Sequence, residues 1–98
     1  MGGKLAGPAR LRAVILGRVQ MVGFRAFAER RAERYGVTGY VRNLPSGEVE
    51  VVAEGDRALL EEFLVELRRG PRGAVVRHVL VSWEPARGEF PDFSVRYF

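Results

Sequence analysis

Between Gly17 and Gly23 the hydrophobic period of this chain changes from two to 3.6, and that switch limits what the segments on either side can form. Before it, Leu11, Ala13 and Ile15 alternate with Arg12, Val14 and Leu16, which predicts a mostly buried strand over residues 10–16. After it, Phe24, Phe27, Ala28, Ala32 and Tyr35 recur at helical spacing, and Gly36 stands where a helix C-cap belongs. The segment Gly17-Arg18-Val19-Gln20-Met21-Val22-Gly23 therefore carries the chain from a strand end to a helix N-terminus. Free N–H groups and the helix dipole make such a place favourable for an anion.

The same two periods organise the rest of the chain. Residues 37–43 and 48–54 read as strands joined through Leu44-Pro45-Ser46-Gly47, where proline and glycine supply a tight reversal. Asp56 is a good N-cap for a second helix whose apolar stripe is Leu59, Leu60, Phe63, Leu64 and Leu67, and Gly70-Pro71 ends it. A long strand follows from Val75, and a short edge strand is expected at residues 93–98. The order βαββαβ predicts an α+β ferredoxin-like sandwich: an antiparallel sheet with both helices on one face. Residues 1–9, with three glycines and Pro8, read as a flexible N-terminal lead-in, leaving residues 10–98 as one domain.

With 98 residues the chain has room for one core. Its 47% hydrophobic and 29% charged residues are ordinary for a globular protein. There is no cysteine, so disulfides and thiolate metal sites are excluded, and His78 alone makes a protein-built zinc site a poor expectation. No apolar run approaches the roughly 20 residues of a membrane span, and the start Met1-Gly2-Gly3-Lys4 lacks the apolar stretch of a secretory signal. The expectation is a cytoplasmic protein without membrane contact. A net charge of +4 attracts anions without choosing among them.

Arg25, in the first turn of the first helix, offers a guanidinium fork that matches a phosphoryl group and stays charged. By position alone it equally fits a solvated surface arginine. The preceding loop is not a Walker A loop, since no Gly-Lys-Ser or Gly-Lys-Thr follows, and it lacks the Gly-x-Gly-x-x-Gly of dinucleotide folds. Asn43 ends the second strand, where an asparagine alone is most simply a turn residue. His78, mid-strand, and the charged run Glu29, Arg30, Arg31, Glu33 and Arg34, on a solvated helix face, are given no role.

The stretch Ile15-Leu16-Gly17-Arg18-Val19-Gln20-Met21-Val22-Gly23-Phe24-Arg25 resembles the first acylphosphatase signature. Gly39-Tyr40-Val41-Arg42-Asn43-Leu44-Pro45-Ser46-Gly47-Glu48-Val49, closed by Gly55, resembles the second. The likeness extends over about residues 10–98. It implies the ferredoxin-like fold and a metal-independent hydrolase of acyl phosphates that needs no cofactor, with inorganic phosphate as product and inhibitor. It further implies that Gln20, Met21, Val22, Gly23, Phe24 and Arg25 bind the substrate phosphate, and that Asn43 orients the attacking water. Met21 stands where the family almost always has glycine, so strain or crowding in the loop and a slower turnover are expected.

These residues provide no histidine or carboxylate to act as acid or base. An acyl phosphate suits such a site, because it leaves as a carboxylate whose conjugate acid has a pKa of about 4 and needs no proton. The alternative from another class is a nucleic-acid-binding module of the same fold, motivated by the positive charge and by Phe24, Phe27, Tyr40 and Tyr97. Phe24 and Phe27 fall on an apolar helix stripe and read as core, which ranks a nucleic-acid partner well below hydrolysis. A weakly catalytic regulatory or carbamoyl-phosphate-handling domain is a third reading.

Overall fold

A computed structural model describes residues 7–98. The elements follow in the order β1 (Pro8–Arg18), α1 (Phe24–Tyr35), β2 (Thr38–Asn43), β3 (Val49–Asp56), α2 (Arg57–Arg69), β4 (Val75–Pro85) and β5 (Phe93–Arg96). They form one five-stranded sheet in the order β4-β1-β3-β2-β5 with two helices, the expected ferredoxin-like sandwich. Four strands pair antiparallel. The wholly antiparallel sheet needs correction: β5 lies parallel to β2, Gly39 opposite Phe93 and Arg42 opposite Arg96. The seven residues after β4 carry the chain back across the sheet before it pairs, so β5 enters in the same direction as β2.

Strand β1 is longer at both ends than the alternation of residues 10–16 implies. Pro8 and Ala9, expected in the lead-in, pair with Asp56 and Gly55, and the Arg57 amide donates to the Gly7 carbonyl at 3.0 Å. Pairing with β3, joined at Ala9 by pairing with β4, recruits these residues rather than side-chain pattern. The remainder of that lead-in, residues 1–6, lies outside the described residues. At the other end of the chain β5 stops at Arg96, leaving Tyr97 and Phe98 beyond the ladder instead of within the expected strand.

One face of the sheet carries Leu11, Ala13, Ile15, Val41, Val49, Val51 and Ala53, and it packs against Phe24, Phe27, Ala28 and Ala32 of α1 and Leu60, Phe63, Leu64 and Leu67 of α2. Phe24 and Phe27 are buried, as their helical spacing predicts, and their rings meet edge to face at 5.8 Å. Leu59 belongs to the predicted α2 stripe yet stays 39% exposed, so the buried face of that helix is narrower than its apolar composition. Burying each Leu or Phe side chain in this layer contributes about 1.5–3 kcal/mol. Strand β3 feeds α2 directly: Asp56 ends the strand and its carboxylate accepts the Ala58 N–H at 2.9 Å.

The opposite face is charged. Glu50 and Glu54 project from the central strand β3 and are only 3% and 5% exposed. Glu50 accepts from Arg12 Nε at 2.8 Å and Arg42 Nε at 2.6 Å. Glu54 accepts from Arg10 Nη1 at 3.0 Å and from the Arg87 and Gly88 amides at 2.9 and 2.8 Å, which lays the β4–β5 connection over this face. Burial opposes the charge on Glu50, but the hydrogen bonds from Arg42 and Arg12 outweigh it and hold the carboxyl below its ordinary pKa.

Because Glu50 titrates lower in the folded protein than in the unfolded chain, its stabilisation is complete above about pH 4.3, the free glutamate value. It drains away as pH falls through the folded pKa. Glu50→Gln should lower stability at neutral pH by about 1.5–3 kcal/mol, the worth of hydrogen bonds to a charged group, and flatten the loss of stability below pH 4. Urea melts of both proteins between pH 3 and 7 test this; equal acid slopes would remove Glu50 from the account.

Candidate active site

The loop between β1 and α1 is set by close approaches at its two ends. At Gly17, where the β1–β4 register shifts by a bulge, a Cβ would lie 2.0 Å from the Val75 carbonyl oxygen, so only glycine fits against β4. Val19 and Phe24 are buried and anchor the loop to the core on either side of Gln20 to Gly23. Gln20 Nε2 donates to the carbonyls of Leu44 at 2.8 Å and Glu48 at 2.9 Å. Those carbonyls flank the turn that follows Asn43. One amide thus binds the first loop to the second, and Arg25 and Asn43 come to line one cleft of about 240 Å3.

At the floor of this cleft the start of α1 is open. Its N-cap, Gly23, sits in the left-handed region at φ 77° and has no side chain to offer, and the first turn carries no acid. The first amide to find an acceptor in the helix is that of Phe27, at 3.0 Å from the Gly23 carbonyl. The N–H groups of Phe24, Arg25 and Ala26 are left without an intrahelical partner, as at any helix start. The contrast with α2, where Asp56 fills this role, leaves α1 as the helix start free to receive an anion. Among the described residues, Arg25 pairs with no carboxylate.

The expected phosphate-binding residues divide by what they present. Met21, Gly23, Phe24 and Arg25 line the cleft beside Asn43. Gln20 and Val22 do not; the Gln20 side chain is spent on the Leu44 and Glu48 carbonyls. Met21 keeps a left-handed backbone, φ 63°, with its side chain fully exposed. The conformation expected to need glycine is therefore retained, and the strain with it, while the side chain escapes crowding by pointing into solvent.

Five further lining residues were not among the expected site residues: Val19, Ala26, Glu29, Val95 and Tyr97. Glu29 is four residues after Arg25, so helical spacing could have placed it on the same face. Val95 and Tyr97 arrive only through the parallel pairing of β5 with β2, which no local pattern announces. Behind Asn43, Arg42 is held more firmly protonated than usual by its hydrogen bond to Glu50. The described residues contain no cluster of three His, Asp or Glu side chains arranged to hold a metal ion, and no helix long and apolar enough to cross a membrane.

Fold and open helix start together define an anion-accepting ferredoxin-like domain, and comparison with known proteins narrows that class. The family model described as Acylphosphatase matches residues 11–95. An acylphosphatase of Dehalococcoides mccartyi is 50% identical over 88 residues, covering 89% of this chain and 97% of its own. One from Thermus thermophilus is 53% identical over 79 residues, covering 81% and 90%. The crystal structure of acylphosphatase from Bacillus subtilis superposes with a TM-score of 0.88 at 31% identity, covering 91% of this chain and 99% of that one. The chain belongs to the acylphosphatase family.

A non-glycine residue in the left-handed region costs about 1–2 kcal/mol, and glycine returns about 0.5–1 kcal/mol of that through its freer unfolded state. Met21→Gly should therefore stabilise the protein by about 0.5–1 kcal/mol and leave phosphate affinity equal or better. Thermal melts and phosphate inhibition constants check this; a marked loss of affinity in the folded variant would make the methionine an adapted part of the loop.

Proposed function

We infer that this acylphosphatase cleaves its substrate by positioning and charge stabilisation alone, with Arg25 and the α1 amides holding the phosphoryl group and Asn43 holding the water. The observation that carries the reading is the uncapped start of α1, with Arg25 in its first turn, sharing a cleft with Asn43. Nothing in the site favours a nucleic acid: Phe24 and Phe27 are core, and Tyr40 is engaged by Glu50 and Arg96 on the charged face.

The chemistry follows from the bond broken. Phosphoryl transfer is loose in most analyses, so the enzyme's task is to neutralise spread negative charge and align water with the leaving oxygen. A guanidinium and a set of fixed N–H donors do the first. The Asn43 amide, with a donor and an acceptor that never change protonation, does the second. Water attacks phosphorus as the P–O bond to the acyl group breaks, the carboxylate departs unprotonated, and the phosphate oxygens take the water's proton. Inorganic phosphate, sharing the phosphoryl group's contacts, should compete with substrate.

Benzoyl phosphate hydrolysis in the presence of a chelator tests the reading as a whole. Arg25→Ala should lower kcat/KM by ~100-fold or more, the scale for removing one preorganised donor to transition-state charge. A loss under twofold would rule out the anchoring role. Asn43→Ala should lower kcat while the phosphate inhibition constant stays near that of the parent, since water orientation matters in the transition state rather than in binding. If phosphate affinity and melting temperature fell together with kcat spared, Asn43 would be a turn residue only.

A further inference from the structure

Tyr97 lies one residue past the end of β5, 77% exposed, at the mouth of the cleft. Arg25 lies against it: its guanidinium carbon sits over the Tyr97 ring, 4.6 Å from the centroid. The chain has a backbone contact on each side of the ring. Before it, Arg96 is the last residue in register with β2, opposite Arg42. After it, the Phe98 carbonyl accepts from Arg42 Nη1 at 3.4 Å, while Arg42 Nε is fixed on Glu50. A chain of contacts thus runs from the buried Glu50 carboxylate through Arg42 and the last two residues to the arginine at the start of α1.

We propose that Tyr97 is a positioning residue of the site: an aromatic shelf that pre-places Arg25 for the phosphoryl group. The inference rests on the phosphate-anchoring role given to Arg25 above. An arginine free to sample its rotamers loses that freedom on binding, and one already placed has less to lose. A carboxylate would also place it, but would neutralise the charge and occupy the fork of donors. A ring face attracts the cation without accepting from that fork, so Arg25 stays charged and its donors stay available to the ligand. The choice of partner fits the absence of any carboxylate paired with Arg25 among the described residues.

Two variants separate the ring from mere bulk. Tyr97→Leu keeps an apolar side chain without a π face, and Tyr97→Phe keeps the face without the hydroxyl. The inhibition constant of inorganic phosphate, kcat/KM for benzoyl phosphate and the melting temperature are measured on each. Tyr97→Leu should weaken phosphate affinity by about two- to fivefold, the range for an exposed cation–π contact, and lower kcat/KM at least as much. Tyr97→Phe should match the parent, and both variants should melt where the parent does. A Tyr97→Leu protein equal to an active parent would overturn the proposal while leaving the function intact. Equal losses in both variants would transfer the role to the hydroxyl and overturn it too. A parent that neither hydrolyses benzoyl phosphate nor binds phosphate would bring down the functional reading and the shelf together.

Discussion

A single side-chain amide joins the two halves of the candidate site. Gln20 Nε2 reaches the carbonyls of Leu44 and Glu48, 24 and 28 residues further along the chain, and so fixes the loop that opens α1 against the turn that follows Asn43. Each carbonyl also accepts a backbone N–H within the turn, Leu44 from Gly47 at 3.1 Å and Glu48 from Leu44 at 2.8 Å, so the amide takes up their second lone pairs. The geometry shared by Arg25 and Asn43 thus depends on a residue that does not line the cleft. Net gains of about 0.5–1.5 kcal/mol per hydrogen bond are small beside the core, yet here they decide relative placement rather than folding.

The sheet divides its labour between faces. Apolar burial against α1 and α2 supplies most of the free energy, while the other face holds two nearly buried carboxylates under arginine cover. A buried ion pair is weak evidence of net stability, because desolvation consumes much of the attraction. What the Glu50 cluster gives is direction. Arg12, Arg42 and Tyr40 converge on one carboxylate from neighbouring strands, and the observed register is the one that brings all three to it.

Much of this was legible in the sequence, for reasons that can be named. The periods around Gly17 to Gly23 place α1 and its buried Phe24 and Phe27, and Asp56 marks the start of α2. The resemblance of the two signature stretches points to Arg25 and Asn43, which the fold does bring to one cleft. Missed were the features made by pairing across distance. The parallel direction of β5, the recruitment of Pro8 and Ala9 into β1, and the arrival of Val95 and Tyr97 beside α1 all follow from which strand lies next to which. Side-chain direction was likewise invisible: Gln20 sits within the loop but does not line the cleft, and Leu59 sits on an apolar stripe but is 39% exposed.

The direct passage from β3 into α2 bears on how a domain of this kind can change length. Asp56 is at once the last residue of the strand and the cap of the helix, so no slack lies between them. One residue inserted there would turn α2 by about 100° about its axis, since each residue takes up a fraction 1/3.6 of a turn. Phe63, packed edge to face on Phe93 at 5.9 Å, would swing away from the sheet, and the core would lose that aromatic contact between the helix and β5. Insertions and deletions should therefore be purged at Asp56. The joint acts as a ruler: it sets the phase of the second helix, and drift in sequence length has to be absorbed elsewhere.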